Sequence, residues 1–269
     1  MTWSFTDSPA VFRAAAGGHL AAEAARNTAV LTLMDTAARL GWWAEGDGRV
    51  TGVLVVPPSG APSLGATTDE AARALAPAGL LGDGRRPTVV RGETAAVEAY
   101  AEATGRPWAP TTRMRLFRLG DLTPQDPAPG GRARLATEAD VPLAAVWTAE
   151  FAVAMGYEPA EDYTGFLTER ISEERLWLWE APDGRPVSMA AVSRTIEGQA
   201  RVHLVHTPPA ERRRGYAAGV TEAVSRAARD AGAAQVLLFT DLSNPTSNAL
   251  YQRLGYRPVT DHLSVTFTG

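Results

Sequence analysis

The feature that most constrains the fold is a strand that runs directly into a helix in the second half of the chain. The pattern over 200–207 predicts a buried strand, which a short Pro-Pro loop joins to an amphipathic helix over 213–231. No Ser, Thr, Asp or Asn stands immediately before this helix, so its first backbone N–H groups have no side-chain acceptor. These amides, the helix dipole, Gly215 and the neighbouring arginines together predict a pyrophosphate-binding site. An ordinary strand–helix unit with a water-capped helix is the alternative.

A second segment, over 238–256, combines a helix start with a polar stripe. Asn244 can cap the helix, and Pro245 suits its first position. Asn244, Asn248 and Tyr251 stand at i, i+4 and i+7, so they share one helical face. Taken alone, such a stripe is also compatible with a face turned to water. Together with the first segment, it favours a binding site.

The two segments resemble the signatures of the GNAT superfamily of N-acetyltransferases. The cofactor signature of that family is Arg or Gln, two residues, Gly, one residue, then Gly or Ala, and Arg212–Ala217 matches it. The closing signature is an asparagine followed by a helix that carries Tyr and ends in Leu-Gly-aromatic, and Asn244–Tyr256 matches it. The resemblance covers about residues 132–267. It implies an α/β fold whose sheet is mixed, with parallel and antiparallel strands, as in α+β proteins.

The resemblance also implies a role for each matched position. Acetyl-CoA is the implied acyl donor, with the strand before the signature along its pantetheine arm and the amides of the helix start on its pyrophosphate. The implied cofactor-binding residues are Val205, His206, Thr207, Arg212, Arg213, Arg214, Gly215, Tyr216, Ala217, Ala218, Asn244 and Ser247. Tyr251 is expected near the sulfur. No metal or redox cofactor is implied.

Acetyl transfer to an amine has three chemical requirements. The attacking ammonium must first lose a proton, the tetrahedral oxyanion needs a hydrogen-bond donor, and the thiolate leaving group needs a proton. A free N–H near Val205 or His206 is the expected oxyanion donor, and Tyr251 is the expected general acid.

The general base is the least determined part of the mechanism. Many family members place a glutamate near the start of the strand before the cofactor signature, but Arg201 stands at about that point here. The candidate proton acceptors are His203 on the strand, Glu150 on the first helix of this half, and a water relay; a lone strand histidine is more often structural. Strand alternation predicts His203 and His206 on opposite faces, which argues against a shared metal.

The expected acceptor is a primary amine. In this family, acceptor specificity tends to come from the loop between the first two helices and from the last hairpin. These segments contain Glu158, Glu161, Asp162 and Asp261, an acidic rim that would attract a cationic amine. Acidic surface loops are also common in an acidic protein, so a purely solvated rim is the alternative.

Composition removes several other classes of function. Among the 269 residues, 26 basic against 30 acidic side chains give a net charge of -4, which disfavours a protein that grips nucleic acid through its phosphates. The chain has no cysteine, and all its basic residues are arginine, so thiolate metal sites and thiol or lysine nucleophiles are excluded. The first residues do not resemble a signal peptide, and no apolar run approaches the roughly 20 residues of a membrane span. We therefore expect a cytoplasmic protein without a membrane partner.

A segment rich in proline and glycine, 121–131, predicts a linker between domains at 1–120 and 132–269. The first half has a mixed α/β order, with a helix predicted over 19–40, but lacks the Arg-x-x-Gly-x-Ala signature. The stretch at 64–72 is acidic at its helix start, which would repel a pyrophosphate. We expect a degenerate, non-catalytic GNAT-like domain at 1–120 and a catalytic one at 132–269.

Two alternatives to an acetyltransferase stay open at this point. A non-catalytic acyl-CoA sensor could use the same pocket; Tyr251 favours the enzyme, whereas the missing glutamate favours the sensor. A different donor such as succinyl-CoA would need a cation for its carboxylate, for which Arg194 and Arg201 are candidates. The sequence also leaves a homodimer open.

Overall fold

A computed structural model describes residues 1–268 except 79, 82, 83, 85 and 157. The chain divides into two compact units. Unit 1 comprises Met1–Phe117, Thr240–Pro245 and Pro258–Gly269, and unit 2 comprises Arg118–Phe239 and Thr246–Arg257. Each unit combines helices with a mixed sheet, which confirms the α/β fold expected from the sequence.

Unit 1 holds most of the elements of the first half of the chain and most of the last strand. Its helices are α1 (Pro9–Ala22), α2 (Thr28–Leu33), α3 (Asp69–Leu75) and α4 (Thr94–Ala103). Its strands are β1 (Thr2–Thr6), β2 (Arg39–Ala44), β3 (Val50–Val56), β4 (Ser63–Leu64), β5 (Val89–Glu93), and most of β6 (Trp108–Leu119) and of β12 (Tyr256–Phe267). Strands β1 to β4 pair antiparallel in chain order, β4 pairs parallel with β5, and β5 pairs antiparallel with β12.

The last strand contributes directly to the core of unit 1. Leu263 lies opposite Gly92 of β5, and Val265 lies opposite Val90. Leu263, Val265 and Phe267 are all buried in one apolar cluster of this unit, because alternate residues of a strand point to the same face. The sequence assigned this strand to the second predicted domain, whereas its apolar face packs in unit 1.

The helix predicted over 19–40 is wrong. The first helix begins earlier, at Pro9, because the Ser8 side chain accepts a hydrogen bond from the backbone N–H of Val11 and proline suits the first turn. Between α1 and α2, the side chain of Asn27 is completely buried and accepts a hydrogen bond of 2.8 Å from the backbone N–H of Ala66. The helical character of this stretch is therefore divided between α1, which ends at Ala22, and α2, which begins at Thr28.

Unit 2 begins with the segment predicted as a linker and continues through the predicted catalytic half. Its helices are α5 (Val141–Ala154), α6 (Thr164–Ser172), α7 (Tyr216–Asp230) and most of α8 (Pro245–Arg253). Its strands are β7 (Arg132–Leu135), β8 (Leu176–Glu180), β9 (Pro186–Val192), β10 (Gln199–His206) and most of β11 (Gln235–Asp241). Strands β7 to β10 pair antiparallel in chain order, and β10 pairs parallel with β11.

Helices α5 and α6 pack on the sheet of unit 2 through a shared apolar cluster. Trp147 of α5, Leu167 of α6 and Leu204 of β10 are buried together in it. Helix α7 contacts β9 and β10 as well. The arrangement therefore brings α5, α6 and α7 to the strand that the sequence singled out.

The predicted linker, 121–131, lies within unit 2. The backbone N–H of Gln125 donates to the Glu222 carboxylate of α7 at 3.3 Å, and the indole N–H of Trp179 donates to the Gly130 carbonyl at 3.0 Å. A Cβ atom on Gly219 of α7 would lie 2.9 Å from Pro129. The segment is thus held along α7 by specific contacts.

Candidate active site

Strand β10 departs from its neighbour β11 halfway along its length. The two strands pair in parallel from Gln199 opposite Gln235 to Val202 opposite Leu238. The pairing with β9 is irregular between His203 and His206, and Leu204 adopts a left-handed backbone with φ of 52°. Such a bulge bends a strand and re-aims its side chains. The end of β10, where the sequence places the pantetheine arm, therefore lies beyond the last β11 pair.

The bulge overturns the predicted alternation of the two histidines. Arg170 of α6 donates from Nε to His203 Nε2 at 3.3 Å, and Glu150 of α5 lies 2.9 Å from His206 Nε2. Both imidazoles thus reach the layer formed by α5 and α6, whereas strict two-residue alternation predicted opposite faces. No group of three or more His, Asp or Glu side chains in the described part of the chain could hold a metal ion.

Glu150 and His206 form a pair at this end of β10. The His206 side chain is only 5% exposed and its ring centroid lies 6.1 Å from that of Trp147, while the Glu150 side chain is 47% exposed. Burial lowers the pKa of His206 below its usual 6.5, although the Glu150 carboxylate acts in the opposite direction. His206 is therefore neutral at physiological pH and can donate Nε2–H to the exposed carboxylate.

His203 is held differently. A guanidinium can only donate, so Nε2 of His203 accepts from Arg170, and its Nδ1–H donates to the Arg201 carbonyl at 3.1 Å. Burial, together with the charges of Arg201, Arg170 and Arg175, lowers the pKa of His203 to about 3. Both ring nitrogens are engaged and the ring is a weak base, which favours a structural role.

The loop between β10 and α7 has the backbone of an anion-binding site. Arg213 and Gly215 both adopt left-handed conformations, with φ of 63° and 84°. The helix therefore begins at Tyr216, three residues later than predicted, and no side chain caps it. Its first amides are left without an intrahelical partner, as anion binding requires. A Cβ atom on Gly215 would lie 2.6 Å from Gln125 Nε2, so the loop also depends on the small size of this residue.

The other residues implied by the cofactor signature lie on or beside this loop. Thr207 accepts a hydrogen bond from Arg212 Nε at its carbonyl, 3.0 Å away, and Arg214 pairs with Glu211 at 3.1 Å. The Arg213 side chain is exposed. Tyr216 and Ala218 are buried at the start of α7, whereas Val205 and Ala217 are half-buried.

Tyr251 is buried in unit 2. Its ring meets that of Tyr256 edge-on, with centroids 6.1 Å apart, and the Tyr256 hydroxyl is 2.7 Å from Ser225 Oγ. Burial raises the pKa of Tyr251 well above the usual value of 10, so the phenol keeps its proton at physiological pH. Ser247 belongs to the same unit, whereas Asn244 belongs to unit 1, and the joint role of these residues stays a prediction.

Two residues of the predicted acidic rim, Asp261 and Asp162, have partners of their own. Asp261, in unit 1, accepts two hydrogen bonds from Arg115 at 2.6 and 2.8 Å. Asp162 accepts from the backbone N–H of Thr164 at the start of α6, 2.8 Å away. Glu158 and Glu161 are exposed. Asp261 is therefore neutralised by an arginine within its own unit, and Asp162 acts as a hydrogen-bond acceptor at a helix start.

Comparison with known protein families identifies a match in the second half of the chain. Residues 143–256 match the model of the Acetyltransferase (GNAT) family. Residues 143–256 therefore form a GNAT acetyltransferase domain, which confirms the resemblance found in the sequence. Enzymes of this class transfer an acetyl group from acetyl-CoA. No curated protein sequence matches the chain significantly.

The fold of the whole chain is similar to that of several solved structures. A GNAT-family acetyltransferase from Colwellia psychrerythraea is 12% identical, with 99% of both chains covered and a TM-score of 0.62. A GCN5-related N-acetyltransferase from Sphaerobacter thermophilus is 17% identical, with 98% of this chain and 95% of that chain covered and a TM-score of 0.66. One from Kribbella flavida is 19% identical, with coverage of 93% and 95% and a TM-score of 0.62. No helix within the described residues is long and apolar enough to cross a membrane.

Proposed function

We propose that the protein transfers the acetyl group of acetyl-CoA to a primary amine by direct attack of the amine on the thioester. The Glu150–His206 pair carries this proposal. It puts a solvent-accessible carboxylate beside the end of β10, the strand along which the family resemblance places the pantetheine arm. Such a carboxylate supplies the proton acceptor that the chain lacks at Arg201.

In the proposed reaction, Glu150 takes a proton from the acceptor ammonium, while neutral His206 donates Nε2–H to the carboxylate and orients it. The free amine then attacks the thioester carbonyl, and a backbone N–H near the bulge stabilises the oxyanion. Collapse of the intermediate releases the CoA thiolate, which takes the phenolic proton of Tyr251. The nitrogen gives up its remaining extra proton to water as the neutral amide forms, and Tyr251 and Glu150 return to their starting protonation states by exchange with water. We prefer Glu150 to His203 as the base because both nitrogens of His203 already have partners.

The arginine contacts favour an acetyl group over a dicarboxylic acyl group. Arg194, one candidate for reading a second carboxylate, is bound to Glu169 at 3.0 Å and to Glu173. A donor with a free carboxylate would have to displace the existing partners of Arg194.

We further propose that unit 1 does not bind a second acetyl-CoA. Its helix α3 begins differently from α7: the Thr68 side chain accepts a hydrogen bond from the backbone N–H of Ala71, and Asp69 and Glu70 occupy the first turn. A capped and acidic helix start is a poor site for a pyrophosphate. We expect one acetyl-CoA to bind per chain in calorimetric titration.

The direct test of the proposed base is Glu150→Gln, with Glu158→Gln as a matched control on the exposed loop that follows α5. General bases contribute about 10²- to 10⁴-fold, so we expect kcat/KM to fall at least tenfold in the first variant only. The deficit should narrow as pH rises towards the pKa of the acceptor amine, because more of the amine is then already neutral. Equal activity of Glu150→Gln and the wild type, measured by thiol release, would rule out the role.

A further inference from the structure

The outward face of α5 is unusual for a surface helix. Between Val141 and Ala154 the helix carries only two polar side chains, Thr148 and Glu150. A helix that is apolar all round is normally buried on every side. Here Val146 is 56% exposed and Val153 is 62% exposed.

The two exposed valines flank the proposed base. Val146, Glu150 and Val153 stand at i, i+4 and i+7, so they lie on one face of the helix. The helical rise puts them about 6 Å and about 4.5 Å along the axis from Glu150. The buried side of α5, which includes Ala144 and Trp147, packs on the sheet.

From this we propose that the outer face of α5 binds the apolar body of the acceptor, which is a primary amine carrying an alkyl or aryl group. The inference rests on the proposed function. The ammonium would lie at the single carboxylate of the face, and an apolar body of about four to six carbons would cover the adjacent valines.

The composition of the face supports an apolar amine over a polycation. Glu150 is the one carboxylate of this face, and Val146 and Val153 are its exposed neighbours along the helix. A second ammonium of a polyamine would lie over a valine and lose hydration there, whereas the alkyl chain of a monoamine would lie on an apolar surface.

The test is a series of linear amines from methylamine to hexylamine, with thiol release from acetyl-CoA as the readout and spermidine as the polycation. We expect kcat/KM to rise about two- to fourfold for each added methylene. The double variant Val146→Thr and Val153→Thr keeps the shape of both side chains and should flatten this rise. Val11→Thr on α1, where the valine is 51% exposed, is the matched control and should keep the full rise.

Each other outcome has a definite meaning. No thiol release with any amine would overturn the proposed function itself. Release that is equal along the series, or that is fastest with spermidine, would overturn only this inference. A flat series combined with a dimer that the double variant dissociates, seen by sedimentation, would reassign the face to contact between two copies and overturn it as well.

Discussion

Burial keeps two ionisable groups of the proposed site uncharged. It raises the pKa of the Tyr251 phenol and lowers that of the His206 imidazole, so both groups are neutral at physiological pH. A neutral phenol can give a proton to a thiolate, and a neutral imidazole can donate to the Glu150 carboxylate. The only charge of this set is thus the exposed carboxylate, which is where a cationic amine would arrive.

Tyr251→Phe removes only the phenolic hydroxyl and so tests the proposed proton donor. Loss of the hydroxyl should lower kcat at least tenfold and leave the affinity for acetyl-CoA nearly unchanged, because the thiolate then leaves without its proton. Tyr256→Phe is the control: it removes a buried hydroxyl bound to Ser225, which should cost about 1 kcal/mol of stability without changing kcat. Equal losses of kcat in the two variants would reject the acid role of Tyr251.

The sequence predicted some of these residues better than others. Arg212–Ala217 and Tyr251 could be proposed as site residues because their spacing matches a family signature. The contact between Glu150 and His206 could not, because the two lie 56 positions apart and meet only after the bulge at Leu204 turns the strand. Nothing in the residues around Leu204 predicts a left-handed backbone there.

Among the helices and strands, the start of α7 shows most clearly where the prediction from sequence and the structure differ. Periodicity predicted a helix from Arg213, but the left-handed conformations of Arg213 and Gly215 delay it to Tyr216 and open the loop. Amphipathic spacing identifies the body of a helix well and its first turn poorly.

Gly215→Ala should therefore weaken acetyl-CoA binding. A left-handed alanine costs about 1–2 kcal/mol, so we expect the Kd for acetyl-CoA to rise roughly tenfold as the loop relaxes. Gly232→Ala, at the other end of α7, is the control: its φ is 91° and no atom lies within 4 Å of an added Cβ. That variant should lose similar stability in thermal unfolding without a change in Kd. Equal changes in Kd for both variants would show that the loop around Gly215 does not bind acetyl-CoA.

For the whole molecule, the sequence predicted the α/β order of both halves, whereas the segment predicted as a linker lies within unit 2. The return of the C-terminal strand to unit 1 was not predicted, because the alternation of Leu263, Val265 and Phe267 indicates a strand with one buried face but not its partner. The pairing of β12 with a strand far away in the chain leaves no signal in the sequence around β12.

Deletion of residues 1–120 should therefore give an aggregated fragment. The deletion removes β5, the partner of β12, and uncovers Leu263, Val265 and Phe267 along an unpaired strand, which is a template for association. Size-exclusion chromatography and circular dichroism of the purified fragment would check this. A monomeric fragment with full activity would contradict it.

The most direct measurement for the account as a whole is amine-dependent thiol release from acetyl-CoA by the full chain, with the acetylated product identified by mass. The panel should contain alkylamines, polyamines, amino acids, aminoglycosides and peptide N-termini, with a control that lacks amine. We predict release that requires an amine and equals the acetylated amine formed. Acetyl-CoA binding in calorimetry without amine-dependent release from any member would contradict the account and identify the protein as a sensor of acyl-CoA.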